Sequence, residues 1–457
     1  MRKYKILILF STLLFLSHCV KKKADSGIPD NVLTVLLVNS LLNSNTGPCT
    51  TTDSIQPIPI GAWSPNGDLF QYTSIYPVTL NKVRPMVQVI LENADSLPGG
   101  VFPLWYLDRN NPSSGFLNKD VATYIGYNTH TSMLPYAKDT SYATSPAVSI
   151  SNTVDTSQPL GVDFNFENPA GAKVTFVNSC RKLEIDESNF QTSAALSSMS
   201  GLNQFWNSEK KLNVNLIFVN GGNGPAYPIQ TEQAIEVALN RWKENYAKSS
   251  VRIKLNVSVI SADLSGYDMI FDLGTETGFP GSLGGLFQTT SFVGKPNALN
   301  VFIVREEIQY GGVLGVSGGI PGPATILGTK QSGIVVFVDA HRLYSNPGEV
   351  MTYDEQVLLG ETLSHEAGHF LGLWHVTEAY GDNGAIADKD PLRDTPTCHI
   401  SNDINFNGII DLNECLGGSG TNSGGRNMMF WSGAVGFTQG EITAEQGWIL
   451  RLNPLVY

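Results

Sequence analysis

Between residues 49 and 190 apolar positions come in short runs, such as 86–91, 121–127 and 172–177, separated by clusters of Pro, Gly, Asn and Ser. No stretch there keeps a 3.6-residue period over three turns, so the rhythm predicts strands, arranged as a β-sandwich-like domain. Beyond residue 205 the pattern changes. Residues 212–219 read as a strand. Residues 231–248 read as a helix, with Ala234, Ala238, Trp242 and Tyr246 four apart along one face. Strands come next at 251–260, 299–304 and 334–338. A long helix then starts near Thr352, which has capping-box spacing to Glu355, and runs to about Leu371. This alternation predicts a multidomain chain whose second part, residues 205–457, is an α/β domain with a mixed, mostly parallel sheet. The glycines between 311 and 333 are followed by neither Gly-Lys-Ser/Thr nor a helix. A phosphate loop is therefore set aside in favour of a flexible loop with an edge strand near residues 324–327.

The first residues have a different pattern. Arg2, Lys3 and Lys5 precede an apolar run over residues 6–16, too short for a bilayer core that needs about 20 helical residues. This is the form of an export signal. Leu16-Ser17-His18-Cys19 then resembles the lipobox of bacterial lipoproteins, with His18 where Gly, Ala or Ser is usual. The resemblance implies that residues 1–18 are removed, that Cys19 is acylated, and that the chain sits in the cell envelope on a membrane-held lipid. Ordinary secretion and an uncleaved anchor are the alternatives. Residues 19–48, with Lys21, Lys22 and Lys23 ahead of a leucine-rich segment, read as a tether or as a small helix packed on the first domain.

Composition narrows the partners. Only 15% of the 457 residues are charged and the net charge is −12. Loss of the three signal-peptide cations takes it to about −15, which offers no basic face to nucleic acid. Export makes cysteine pairing relevant: with Cys19 assigned to lipid, Cys49, Cys180, Cys398 and Cys415 remain. Position favours Cys49 with Cys180 and Cys398 with Cys415. A free Cys180 thiolate that caps a metal and keeps the chain latent is the alternative use of that residue.

Three of the seven histidines fall within residues 365–375, in HEAGHFLGLWH. His365 and His369 are four apart and share one face of a helix, so both imidazoles can reach one ion. Glu366 lies beside that face, within reach of a water there. On a continued helix His375 would lie about 240° around the axis from His369. Gly372 can take the left-handed conformation that ends a helix, turning the chain so that His375 completes a tripod. Three nitrogens with one open position are the catalytic pattern of zinc. His130, His341 and His399 carry no such pattern and read as ordinary surface residues.

The segment resembles the metzincin signature His-Glu-x-x-His-x-x-Gly-x-x-His, and the residues C-terminal to it are similar to the pappalysin-type metzincins. Asp394-Thr395-Pro396 matches an element of that family, and Asn427-Met428-Met429-Phe430-Trp431 resembles its Met-turn. The resemblance implies a metzincin-like zinc endopeptidase that acts on proteins or peptides, with Met429 as an apolar floor under the zinc. It implies zinc on His365, His369 and His375, with Glu366 as the acid/base. Trp431 stands where the family has Tyr, and a tryptophan has no hydroxyl to give a developing oxyanion.

Residues 403–414 also fit the twelve-residue calcium loop. Asp403, Asn405, Asn407, Asp411 and Glu414 would give side-chain oxygens and Ile409 a carbonyl, with Gly408 at the tight turn. A Pro before it and a Gly/Ser/Asn-rich run after it replace the EF-hand helices, so the reading is an isolated calcium loop clasped by Cys398 and Cys415. An Asn/Asp-rich turn without an ion is the alternative. A lipid-anchored zinc peptidase is the leading function. A surface adhesin or binding lipoprotein, with its β-rich half at work and a weak or inactive protease domain, is the second.

Overall fold

The computed structural model describes residues 209–220 and 233–457 except 275–277, 325, 348, 383–389, 391, 393 and 417–423, together with the backbone of isolated strands between residues 55 and 179. Those strands pair in antiparallel fashion. Ile55–Ile60, Lys173–Ser179, Val87–Glu92 and Thr129–Leu134 form one set, and Gln71–Tyr72, Pro159–Phe164, Gly100–Leu107 and Phe116–Tyr124 a second. The expected sandwich, the signal segment, Cys19, the tether and the Cys49–Cys180 pair lie outside the described residues.

The C-terminal part is built on a five-stranded mixed sheet. Its strands are β1 (Lys210–Val219), β2 (Ile253–Ala262), β3 (Leu299–Val304), β4 (Gly315–Ser317) and β5 (Ile334–Phe337), in the spatial order β2-β1-β3-β5-β4. The first four of that order run parallel, with Val214 opposite Val257, Leu216 opposite Val301, and Val301 opposite Ile334. Only β4 is antiparallel, Val316 facing Val335. Helix α1 (Gln233–Ala247) connects β1 to β2, helix α2 (Tyr353–Leu371) follows β5, and helix α3 (Ala444–Leu452) comes near the end.

The central strands are buried on both faces, which is why residues 301–304 and 334–337 read as apolar runs without alternation. Leu212, Val214, Leu216 and Phe218 of β1 join Trp242, Tyr246, Leu359, Leu363 and Ala367 in one core. Ile217 and Val219 face the other side, with Phe302, Phe337 and the short helix Leu283–Gln288. Helices α1 and α2 approach closely at Gly360, where a Cβ would stand 2.4 Å from the Ala238 carbonyl oxygen. Tyr246 donates its hydroxyl to the Ser364 carbonyl at 3.2 Å beside that contact. Arg241 also clasps Glu361 there, Nη2 to Oε1 at 2.6 Å. Helix α2 is thus braced by α1 along Gly360, Glu361 and Ser364.

One expectation is corrected. The edge strand is Gly315–Ser317, not a segment near residues 324–327. Three residues, one of them glycine, leave no apolar run to detect. What makes them a strand is the ladder they share with β5, and the bonds Phe337 N–H to Leu314 O and Gly318 N–H to Gly333 O mark its two ends, each 2.9 Å. Among the described residues no helix is long and apolar enough to cross a membrane.

Candidate metal centre

Helix α2 is capped at both ends, and its C-terminal cap also organises the site. At its start the Thr352 hydroxyl accepts the Glu355 N–H while the Glu355 carboxylate accepts the Thr352 N–H. At its end Gly372 takes φ 119° and ψ 7°. Gly372 N–H bonds the His369 carbonyl, and Leu373 N–H bonds the Gly368 carbonyl, each at 2.9 Å. These two bonds are a Schellman motif. The turn brings His375 back toward the helix and leaves the Leu373 carbonyl facing His369.

The three Nε2 atoms converge. His375 Nε2 lies 3.2 Å from that of His365 and 3.0 Å from that of His369. Each ring is aimed by an acceptor on its other nitrogen. His365 Nδ1 bonds the Met428 carbonyl at 2.7 Å, His369 Nδ1 bonds the Leu373 carbonyl at 2.7 Å, and His375 Nδ1 bonds the Glu378 carboxylate at 2.9 Å. Nδ1 carries the proton in all three rings, so the Nε2 lone pairs point at one another. Burial pushes the His365 imidazole down to about 3, with repulsion from His375 adding to it, and holds His369 well below the usual value. Neutral rings are the form that ligates metal.

Three facing lone pairs repel unless a cation lies among them. A tetrahedral zinc ion with Zn–N bonds of about 2.05 Å spaces its ligand nitrogens about 3.3 Å apart, close to the separations seen. The residues therefore fit a zinc ion. Among the described residues this is the one group of three His, Cys, Asp or Glu side chains that gathers its ligand atoms.

Glu366 is buried, and the Ser317 N–H of the edge strand donates to its carboxylate. Burial pushes this acid up to about 8, with the Ser317 bond acting the other way. A divalent cation beside it lowers it again. Leu314 and Gly318 bond toward β5, so by the alternation of an antiparallel ladder the amide groups of Gly315 and Ser317 face away from it. Gly315 must be a glycine. A Cβ there would stand 2.7 Å from the Glu366 Cγ and 2.9 Å from the Val335 carbonyl oxygen.

Met429 is buried, its sulfur 2.6 Å from where a Cβ of Gly368 would lie, on the turn between His365 and His369. Asn427 holds that turn: its Oδ1 accepts the Met429 N–H at 2.9 Å, and its amide pairs with that of Gln446 on α3. Asp394 accepts the Glu445 N–H at 2.9 Å at the start of α3, so the Asp-Thr-Pro element supports the helix rather than the metal. Trp431 donates its indole N–H to the Ile410 carbonyl at 2.7 Å.

In the 403–414 loop the donors face the loop's own amides. Asp403 accepts from Asn407 and Gly408, Asn405 from Asn407, Asn407 from Ile409, and Glu414 from Ile404, Asn405 and Asp411. Gly408 has φ 79° and Phe406 φ 58°. Asp403, Asp411 and Glu414 do not gather their oxygens as the histidines gather their nitrogens. Cys398 and Cys415 form a disulfide beneath the loop.

Two residues that carry no signal in the sequence, Glu378 and His341, also take part. Glu378 aims His375, as above. His341 is fully buried, not a surface residue. Its Nδ1–H donates to the Phe337 carbonyl at 2.7 Å, leaving Nε2 to accept from the Thr362 hydroxyl at 2.8 Å on helix α2. Burial pushes it down to about 4. His399 is exposed, and its ring bonds Ser401. A cleft runs past His365, Glu366, His369 and His375, between β4 on one side and Phe430–Val435 on the other.

Residues 295–449 match the family model described as Peptidase_M43, Pregnancy-associated plasma protein-A. The chain is also similar to extracellular metalloproteases of Arthroderma benhamiae and Trichophyton verrucosum. It is 25% and 24% identical to them over 168 residues, which is 36% of this chain and 52% of each relative. One from Arthroderma otae is 45% identical over 49 residues, 11% of this chain and 16% of that protein. The chain spans about half the length of the first two relatives.

Proposed function

We propose that this chain, whose residues 295–449 are a pappalysin-type metallopeptidase domain, is an exported zinc endopeptidase that hydrolyses peptide bonds of extracellular proteins. The observation that carries this reading is the convergence of three Nε2 atoms beside a buried Glu366 in an open cleft. His365, His369 and His375 would hold a zinc ion, which when bound would supply the Lewis acidity that polarises the scissile carbonyl and makes water more acidic. Glu366 then takes the proton of the attacking water on its carboxylate and returns it to the leaving amine. The outward N–H and carbonyl of Gly315 and the carbonyl of Ser317 give an extended substrate main-chain partners, as strand addition to a sheet edge requires. The name "extracellular metalloprotease" on the relatives accords with the export signal, and Cys19 is proposed as the site of a membrane-holding lipid.

The test is a Glu366→Ala chain given casein or gelatin. It should hold zinc in a 1:1 ratio and cleave neither; cleavage at the wild-type rate sinks the mechanism. A second reading, a binding lipoprotein with a weak protease domain, draws on the Trp431 N–H being committed to Ile410. Cleavage abolished by chelator and restored by zinc excludes it. Calcium in the 403–414 loop is proposed on its donor spacing and the left-handed Gly408. Added calcium should raise the thermal midpoint of the wild-type chain but not of Asp403→Ala/Glu414→Ala, and an equal response of the two counts against the site.

A further inference from the structure

Ile410 is the residue through which the 403–414 loop meets the metal centre. It is fully buried and spends both backbone groups on that contact. Its N–H donates to the Ala379 carbonyl at 2.7 Å, four residues past His375. Its carbonyl accepts the Trp431 indole N–H at 2.7 Å, two residues past Met429. The two segments that Ile410 bonds are themselves joined, Val376 N–H to the Met429 carbonyl at 3.0 Å, with Thr377 bridging Phe430. An indole has one polar atom and it can only donate, so the orientation of the Trp431 ring is set by where the loop puts one carbonyl. That ring forms part of the cleft wall with His365, His375 and Phe430.

We propose that Trp431 is a positioning residue: its bond to Ile410 makes the 403–414 loop a structural part of the cleft wall, so that the folding of the loop governs how well substrate binds. The loop is suited to this, since its carboxylates and amides bond its own backbone and the Cys398–Cys415 disulfide closes its base. The inference rests on the peptidase reading for its catalytic consequence. The mechanical link between loop and Met-turn stands apart from it.

Two measurements on the full chain separate these. In kinetics with a peptide substrate, Trp431→Phe keeps an aromatic face but loses the donor together with the five-membered ring that carries it. It should raise KM about five- to tenfold, with kcat within about twofold and zinc affinity unchanged. Disordering the loop by Asp403→Ala/Glu414→Ala should do the same, and the combined variant should be no worse than either, because both remove one coupling. Additive effects, an unchanged KM, or a fall in kcat at unchanged KM would each overturn the proposal. Hydrogen exchange reads the same link without catalysis. The loop variant should speed exchange in residues 427–432 of the chain with Trp431 and add nothing in Trp431→Phe. No change at 427–432 refutes the link even in an inactive protein. Coupled exchange in a chain that cleaves nothing supports the link while refuting the peptidase reading.

Discussion

Gly315 lies directly against Glu366, a Cβ on the glycine being 2.7 Å from the glutamate Cγ. The edge strand can cross the helix at the turn that carries Glu366 because position 315 has no side chain. Thr362 Cγ2, one helical turn earlier, would also stand 3.0 Å from that Cβ.

Gly315→Ala should therefore cost activity rather than metal. The added methyl meets the backbone carbonyl of Val335 at 2.9 Å, so the strand must move off the helix and take the Ser317 N–H away from Glu366. A loss of kcat/KM of about tenfold or more, worth about 1.4 kcal/mol, should accompany an unchanged zinc content by metal analysis. A variant as active as wild type would show that the strand moves without consequence.

Glu378 aims His375, and its loss should be felt in metal affinity. Carboxylates that bond the far nitrogen of a ligand histidine are worth about 10- to 100-fold in binding. Competition with a chromophoric chelator should show a loss of that order in Glu378→Ala and a smaller one in Glu378→Gln, which keeps an acceptor.

His341 should make the fold acid-sensitive in a defined window. Its folded value is about 4 against an ordinary 6.5, so the unfolded chain binds more protons between those values. The stability it contributes is complete above pH 6.5 and is lost as pH falls toward 4, by about 3 kcal/mol in all. In chelator-treated protein, urea unfolding of His341→Gln should show a decline between pH 7 and 4 that is shallower by about that amount. Parallel declines in the two proteins would exclude this role for His341.

Arg241 and Glu361 join the two long helices in a nearly dry pair, and burial pushes Glu361 up to about 7 despite the arginine. Arg241→Met leaves that carboxylate unpaired and should destabilise the chain by about 3 kcal/mol or more at pH 8. Because the folded value of Glu361 lies above the unfolded one, its burial is least costly where it is protonated. The deficit should shrink at pH 5.5, and Arg241→Met/Glu361→Leu should recover most of it. Equal deficits at both pH values would mean that the pair carries no net charge effect.

Where local chain geometry sets the outcome, the sequence is sufficient. His365 and His369 share a face because they are four apart, and Gly372 ends the helix because it alone tolerates φ 119°. Strands such as Ile334–Phe337 are legible from their unbroken apolar runs, since burial on both faces leaves no alternative. The disulfide pairing of Cys398 with Cys415 accords with their proximity along the chain. The tertiary structure decides what depends on distant partners. The acceptor that aims His365 is a backbone carbonyl 63 residues away at Met428, and a carbonyl has no side-chain signature. The edge strand at Gly315 exists only because β5 is there to pair with it. His341 has an ordinary place in the sequence, and only the fold puts Thr362 within 2.8 Å of its ring. Spacing determines which side chains can hold a metal, and packing across the chain determines how they are held, because hydrogen-bond partners are chosen in space rather than along the sequence.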